Sequence, residues 1–277
     1  MQLHCGKYRL DLGRPLIMGV VNVTPDSFSD GGRFGSASAA AAHARQLIDE
    51  GADIIDIGGE STRPGALEVA LDDERRRVMP VLERLADIVV PVSVDTRKPE
   101  IMREAIAAGV SMVNDIEALQ APESLAVAAG SNVAICLMHK RGAPASMQAR
   151  PSYADVVADV AEFLSGRVAA ACAAGIAKER IVVDPGFGFG KALAHNLQLL
   201  RNLRAIAPQG IALLAGLSRK SMLGQITGRE AAERVYASVA AAVIAVQNGA
   251  HIVRVHDVAA TRDALAVLSA EREWPSA

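Results

Sequence analysis

The chain has 277 residues, of which 51% are hydrophobic and 22% are charged, and its formal net charge is −2. A length of this order suits one large domain or two small ones. A nearly neutral chain gives no electrostatic reason to expect nucleic acid or an anionic membrane as a partner. Three cysteines without a CxxC pair are typical of reduced thiols, which predicts a cytoplasmic protein.

Two segments bear on targeting and membrane insertion. The first fifteen residues, MQLHCGKYRLDLGRP, are too charged for a signal peptide. The most apolar later window, VYASVAAAVIAV at 235–246, is too short to span a bilayer. We therefore expect neither a leader nor a membrane anchor.

Short apolar runs alternate with helical patterns along the chain. Several helical patterns lead into a glycine, which ends a helix readily because it adopts the left-handed conformation at low cost. A continuous apolar run is typical of a strand buried on both faces of a parallel sheet. The eight strands are expected within 16–23, 47–61, 89–95, 105–116, 132–139, 180–184, 211–218 and 246–258.

Eight such strands predict one (β/α)8 barrel domain over residues 1–277, with residues 1–15 as an additional segment that caps the bottom of the barrel. An open, doubly wound sheet is the alternative, because the number of strands does not prove closure. Polar residues close nearly every run, at the barrel face where active sites are built. These residues are Asn22, Asp56, Asp95, Asn114, Asp115, His139, Asp184, Ser218, Arg219, Lys220, Arg254 and His256.

The stretch VVDPGFGFGK (182–191) looks like a phosphate-binding loop. A Walker loop needs GxxxxGK followed by Ser or Thr, but residue 192 is Ala and the glycine spacing is wrong. The strict alternation of Gly186, Gly188 and Gly190 also excludes the dinucleotide fingerprint GxGxxG. The stretch is therefore neither kind of phosphate loop.

The phenylalanines give a better indication of the ligand. Four of the five lie in glycine-rich loops at 28, 34, 187 and 189, where they either pin the loops to the barrel or cover a flat ligand. Asp184 ends the strand before the second of these loops. Its two acceptor oxygens suit an edge with two N–H donors, as in a 2-amino-4-oxo-pyrimidine ring.

The motifs at the strand ends resemble the dihydropteroate synthase family over essentially the whole chain. The matching segments are MGVVNVTPDSFSDGG (18–32), DIGGESTRPG (56–65), SVDTRKPE (93–100), VNDI (113–116), CLMH (136–139), DPGFGFGK (184–191), LSRKSMLG (217–224) and RVHDV (254–258). The resemblance implies a homodimeric barrel enzyme of folate biosynthesis. It would join 6-hydroxymethyl-7,8-dihydropterin pyrophosphate to 4-aminobenzoate with the help of Mg²⁺, and sulfonamides would compete with the arylamine.

The resemblance also implies roles for individual residues. Asp95, Asn114 and Asp184 would bind the pterin ring nitrogens and amino group. Lys220 would reach the ring carbonyl, and Arg254 would stack on the ring. The remaining implied contacts are Met138 and Gly216 around the pterin; Asn22, Thr62, Arg63, Arg254 and His256 around the pyrophosphate; and Phe28, Pro64, Phe189, Lys220 and Ser221 around the aminobenzoate. Asn22 would also be a Mg²⁺ ligand.

The implied chemistry favours departure of pyrophosphate before attack, through a pterin cation. Asp30, Arg63 and Lys220 are the candidate catalytic residues, with Arg63 neutralising the leaving group and Asp30 closing over the site. Asp30 also lies in SDGG, which is a plausible simple turn. A single Asn22 is a poor Mg²⁺ site, so the metal would bind mainly through the pyrophosphate.

Three further interpretations are open to test. Arg97 and Lys98 are expected at a solvated helix start. Lys140 and Glu117 depart from the common family pattern, in which an apolar and a basic residue are frequent at these positions. The alternatives to a synthase are a pterin-binding methyltransferase and a catalytically silent paralogue that binds pterin. The intact segments STRPG, SRKS and RVHD favour the synthase.

Overall fold

The computed structural model describes residues 1–23, 32–61, 68–142, 147 and 151–273. A two-stranded antiparallel hairpin precedes eight parallel strands that alternate with helices. The strands are β1 (Gln2–Cys5), β2 (Tyr8–Asp11), β3 (Leu16–Asn22), β4 (Ile54–Gly58), β5 (Val92–Asp95), β6 (Met112–Asp115), β7 (Ala134–Met138), β8 (Ile181–Asp184), β9 (Ala212–Ala215) and β10 (Ile252–Val255). The helices are α1 (Gly32–Asp49), α2 (Leu71–Arg84), α3 (Pro99–Ala107), α4 (Pro122–Ala129), α5 (Val156–Ala173), α6 (Leu193–Arg201), α7 (Ser221–Thr227), α8 (Val235–Gln247) and α9 (Val258–Glu273).

The eight parallel strands form a closed barrel in the order β10-β3-β4-β5-β6-β7-β8-β9. Closure depends on the pairing of the last strand with the first, in which Arg254 is the register partner of Met18. The expected (β/α)8 barrel is therefore confirmed, and the open-sheet alternative is wrong. Each of the eight predicted apolar runs contains one barrel strand.

Glycine ends the helices where the sequence predicted it. Gly51, Gly109 and Gly249 have φ of +101°, +97° and +107°. After each of them the next amide donates to a carbonyl five residues earlier; the amide of Ala52, for example, lies 2.9 Å from the Leu47 oxygen. This arrangement satisfies terminal helix carbonyls and turns the chain into the following strand.

Alternate side chains of the strands divide the core into two layers. Outward residues such as Ile55, Ile57 and Val113 pack against the helices. Inward residues such as Met18, Ile54 and Met112 fill the barrel together with Leu3, Cys5 and Leu12 of the hairpin segment. The expected N-terminal cap is thus confirmed, because the hairpin packs on the barrel interior.

Polar contacts place the hairpin at the amino-terminal ends of the strands. The Gly6 amide donates to the Asn132 carbonyl at 3.2 Å, and the Cys5 thiol lies 3.2 Å from the Ser111 carbonyl oxygen. Both acceptors come just before a barrel strand, at the bottom of the barrel. The polar residues of the candidate site lie at the opposite end of the barrel, at the carboxyl-terminal ends of the strands.

None of the helices in the described part of the chain is both long enough and apolar enough to cross a membrane.

Leu3→Ala should lower the free energy of unfolding by about 2–5 kcal/mol, because it leaves a cavity between the hairpin and the barrel interior. Leu3 is 1% exposed, whereas Val89 is 81% exposed. Val89→Ala is therefore the control, with an expected change of less than about 0.5 kcal/mol. Urea unfolding of the two variants measures both values. Equal losses would show that the hairpin does not seal the core.

Candidate active site at the barrel mouth

A network of ion pairs crosses the mouth of the barrel. Arg254 of β10 donates through Nε to Asp56 Oδ2 at 2.6 Å and through one terminal nitrogen to Asp95 Oδ2 at 2.9 Å. Asn114 donates to the same Asp56 oxygen at 3.2 Å. Four strands, β4, β5, β6 and β10, therefore contribute to one hydrogen-bonded cluster. It fixes the guanidinium group of Arg254 before any ligand binds.

Burial shifts the pKa values of the carboxylates at the mouth. Burial raises the pKa of Asp95 to about 7, with Asp56 acting in the same direction and Arg254 opposing both. Burial also raises the pKa of Asp184, against the nearby positive charges of Lys220 and Arg254. Such groups favour an arriving positive charge or N–H donor, because it replaces the water they have lost.

Two glycines lie beside the carboxylates. A methyl group at Gly58 would lie 3.5 Å from Cβ of Asp95. At Gly216 it would lie 3.8 Å from Cβ of Arg254 and 3.9 Å from a carboxylate oxygen of Asp184. A side chain at either position would meet these groups at ordinary van der Waals distance, so glycine keeps further side-chain atoms out of the mouth there.

Two buried polar atoms lie on neighbouring strands, β4 and β5. Asp56 Oδ1 and Ser93 Oγ have no hydrogen-bond partner among the described residues. Asp56 and Ser93 are register partners on β4 and β5. Since unpaired buried acceptors are costly, these atoms mark a place where a ligand or a water molecule is expected.

Lys220 lies on the other side of the mouth, just before α7. Its ammonium group donates to the Phe187 carbonyl and lies 4.7 Å from the centroid of the Phe189 ring. Burial lowers the pKa of Lys220 to about 8, opposed mainly by the charge of Asp184. The loop 185–190 and Lys220 therefore lie together on one side of the mouth, and a role of Phe189 in binding the arylamine stays a prediction.

The turn that presents Lys220 is strained. Arg219 has φ +58°, a left-handed conformation that is uncommon for a residue with a side chain. Its guanidinium group pairs with Asp257 at 2.5 Å, and its amide donates to Ser238 Oγ at 2.9 Å. These contacts hold the turn in place and compensate the cost of the strained backbone. The sequence assigned no role to Arg219, and only its place in SRK could have indicated one.

The other predicted residues differ in their exposure to solvent, and some lie outside the described part of the chain. Met138 is buried at the end of β7, Asn22 is half-buried at the end of β3, and Ser221 is exposed at the start of α7. His256 Nδ1 lies 2.9 Å from Ser218 Oγ. Five predicted residues lie outside the described part of the chain: Phe28, Asp30, Thr62, Arg63 and Pro64.

The expectation for Arg97 and Lys98 was right about the helix start, because α3 begins directly after Lys98, but wrong about solvation. Lys98 is 13% exposed and binds the carboxylates of Glu60 and Glu74, each at 2.6 Å. Arg97 pairs with Glu60 at 3.2 Å, and the Val69 amide donates to Glu60 at 3.3 Å. Lys98 is largely buried and Arg97 is half-buried, because carboxylates distant in sequence compensate their charges. This cluster ties residues on both sides of 62–67 to α2 and to the segment after β5.

Two rim residues point away from the site. Asp115 accepts from the amides of Glu117 and Leu119, each at 2.8 Å, and so shapes the turn after β6. His139 lies under the 185–190 loop rather than in the mouth. The departures Lys140 and Glu117 form an ion pair with each other, which gives both substitutions a common structural reason.

The fold agrees with the comparisons with known proteins. Residues 18–256 match the family model described as pterin binding enzyme. Dihydropteroate synthase of Escherichia coli (strain K12) is 49% identical over 271 residues, covering 98% of this chain and 96% of that protein. The chain belongs to the dihydropteroate synthase family.

Solved structures of dihydropteroate synthases support this membership. The Xanthomonas albilineans enzyme with 4-aminobenzoic acid has a TM-score of 0.92 and 52% identity, with 99% of both chains covered. The Yersinia pestis enzyme in a sulfonamide drug complex has a TM-score of 0.93 and 48% identity, covering 99% of this chain and 100% of that one. The family resemblance seen in the sequence is confirmed.

Gly186→Ala should destabilise the site loop. Gly186 has φ +67°, and a methyl group there would lie 1.9 Å from the His139 carbonyl oxygen. The expected loss is about 3 kcal/mol or more. Gly210 also has positive φ, at +80°, but nothing lies within 4 Å of its added methyl group. Gly210→Ala should cost only about 1–2 kcal/mol. Urea unfolding gives both values, and an equal cost would contradict the close approach of the loop to His139.

Proposed function

We propose that this chain is a dihydropteroate synthase, which condenses 6-hydroxymethyl-7,8-dihydropterin pyrophosphate with 4-aminobenzoate to give 7,8-dihydropteroate and pyrophosphate. The observation that carries the proposal is the cluster of buried Asp184 with half-buried Asp95, Lys220 and Arg254 at the mouth of a barrel of this family. The arylamine and sulfonamide complexes of the related enzymes support the choice of second substrate and predict sulfonamides as competitors.

The pterin would lie between the two glycines of the mouth. Asp184 would accept from the 2-amino group and a ring N–H, while Asn114 and Asp95 would bind the opposite ring edge. Asp184 Oδ1 already accepts from the Gly186 amide at 2.7 Å, which fixes the orientation of the carboxylate. Binding groups held in place in advance cost less entropy when the substrate arrives.

The carboxylates would also promote the chemical step. Departure of pyrophosphate from the CH₂ group leaves positive charge on the dihydropterin, and Asp95 and Asp184 would stabilise it where it develops. Arg254 would interact with the ring, and Arg63 and His256 with the leaving pyrophosphate. Asp30 would close over the site and exclude water, which otherwise captures the cation.

The second substrate would bind closer to the surface. Lys220 and the Phe189 ring form one wall for 4-aminobenzoate, with Ser221 beside them. Phe28 and Pro64 would complete that pocket, and Thr62 would contact the pyrophosphate. An arylamine is already nucleophilic, so the enzyme contributes orientation rather than a strong base.

The residues of the mouth fit Mg²⁺ only together with the leaving group. Asn22 offers one neutral amide oxygen, and the described residues hold no cluster of three His, Cys, Asp or Glu side chains that could bind a metal ion. Mg²⁺ is satisfied by phosphate oxygens and water with few protein ligands. When bound, it would neutralise charge on the departing pyrophosphate.

We also propose a cytoplasmic homodimer. Helix α8 exposes Tyr236 and Ile244, at 89% and 43%, on one face of the helix. An apolar face of this kind is commonly covered by a partner, and a second copy of this chain is the occupant that we propose. Sedimentation velocity distinguishes the dimer from the monomer.

The test of the function is pyrophosphate release from the dihydropterin pyrophosphate in Mg²⁺ buffer, with and without 4-aminobenzoate. Release that depends on the arylamine, with an equal amount of dihydropteroate formed, is the expected result. Pterin binding without turnover would instead identify a silent paralogue. Absence of both binding and turnover would reject the proposal.

A further inference from the structure

Lys191 carries a buried amine with no role in the proposed chemistry. It is 2% exposed, although lysine is almost never fully buried unless it is paired. Its ammonium nitrogen instead donates to the carbonyls of Gly186 and Phe189, at 2.9 and 3.1 Å, and lies 3.3 Å from that of His139. The described residues supply it with no carboxylate at ion-pair distance. Its partners are the backbone of the loop 185–190 and the end of β7.

The His139 ring completes the coordination of Lys191. His139 Nδ1 lies 2.9 Å from the lysine nitrogen. Burial lowers the pKa of His139 to about 3, so the ring is neutral and Nδ1 accepts the hydrogen bond. An edge-to-face contact with Phe163, at 5.0 Å between ring centroids, holds the ring in this orientation.

Other contacts tie the loop from its outer side. The Gly188 amide donates to Asn196 Oδ1 at 2.8 Å, and the Tyr153 hydroxyl donates to the Gly190 carbonyl at 3.0 Å. Gly190 has φ +66°, and a methyl group there would lie 2.1 Å from the Arg141 carbonyl oxygen. The alternating glycines therefore allow the loop to pack tightly on residues 139–141, with Lys191 beneath it.

The loop in turn controls Lys220. The Phe187 carbonyl accepts from the Lys220 ammonium group, and the Phe189 ring lies 4.7 Å from it. Phe187 is fully buried, so its peptide group can move only if the loop moves. Displacement of the loop would therefore relocate the cation that faces the second substrate.

We propose that Lys191 is a positioning residue for the condensation: with the neutral His139 ring, it braces the loop 185–190 so that Phe187 and Phe189 fix Lys220 against the arylamine. The identity of the second substrate rests on the proposed function, whereas the brace itself does not depend on it.

The charges around Lys191 couple the brace to pH. Burial lowers the pKa of Lys191 from 10.5 to about 7; Lys220 and Arg141 act in the same direction, and Asp184 opposes them. Opening of the loop would return the amine to water and restore its ordinary pKa. Between about pH 7 and about pH 10 the open state therefore binds more protons, and opening becomes less favourable as pH rises.

The pH effect of Lys191 must be distinguished from that of the other titratable groups packed around the loop. The pKa of His139 is about 3 and that of Tyr153 about 12, so neither titrates in this interval. The pKa of Lys220 is about 8 and does fall within it. The part of the pH response that disappears when Lys191 alone is replaced by Met therefore belongs to Lys191, and the part that remains belongs to Lys220.

The first experiment is hydrogen–deuterium exchange of the amides of 184–191 in the wild type and Lys191→Met. Exchange, corrected for the chemical rate, should slow in the wild type from about pH 7 to about pH 9. In Lys191→Met exchange should be faster, and its pH dependence should be smaller because only Lys220 still titrates in this interval. Lys178→Met, which removes an exposed lysine before β8, should behave as the wild type does.

The second experiment measures steady-state kinetics and pterin binding for the same variants. In Lys191→Met, kcat/KM for 4-aminobenzoate should fall by about ten-fold or more, because Lys220 is misplaced. The dissociation constant for the pterin should rise by a smaller factor, because Asp95 and Asn114 lie on strands that Lys191 does not contact, whereas Asp184 and Lys220 both contact the loop. A general loss of structure would instead weaken the binding of both substrates to a similar extent.

The outcomes separate the two proposals. A Lys191→Met variant with wild-type exchange and wild-type kcat/KM for the arylamine overturns the brace. If that variant does not fold, wild-type loop exchange that is unchanged between pH 7 and 9 overturns it equally. If the wild type forms no dihydropteroate, the proposed function fails, and the exchange measurement still decides the brace.

Discussion

The ion-pair network centred on Arg254 is the interaction on which the barrel mouth depends. Arg254 is separated by 198 residues from Asp56 and by 159 from Asp95, and it reaches both carboxylates across the closed barrel. Removing water from three charges is expensive, and their mutual attraction compensates only when the geometry is good. Loss of one partner would leave a buried charge without compensation. The same groups therefore hold the last strand in register and keep the binding surface charged but ordered.

The barrel strands could be predicted from the sequence because the chain is locally consistent. Unbroken apolar runs and helix-ending glycines such as Gly51 and Gly249 specify a strand–helix alternation without any long-range information. Closure could not be predicted in this way. It depends on the pairing of Ile252 with Leu16, which are neighbours only in the folded state. The sequence therefore predicted the units and left the closed or open sheet undecided.

The site was predicted only where a residue's place in the chain reveals its contacts. Asp184 and Asn114 end apolar runs, so their position at the mouth follows from the strands. Asp56 was recognised at a strand end, but its bond to Arg254 depends on barrel closure. Lys98 was expected in solvent, and its burial depends on Glu60, 38 residues away. The partners of buried charges were missed because no local sequence pattern identifies residues that meet only in the folded chain.

The most direct test of the central claim is the affinity of Asp56→Asn for 6-hydroxymethyl-7,8-dihydropterin, measured by titration calorimetry. Asp53→Asn is the matched control, because Asp53 lies just before the same strand and pairs with Arg14 at 2.5 Å, away from the mouth. Asp56→Asn should weaken binding by about ten-fold or more, since Arg254 loses its closest partner. Binding within about two-fold of the wild type, by a variant that remains folded, would contradict the account.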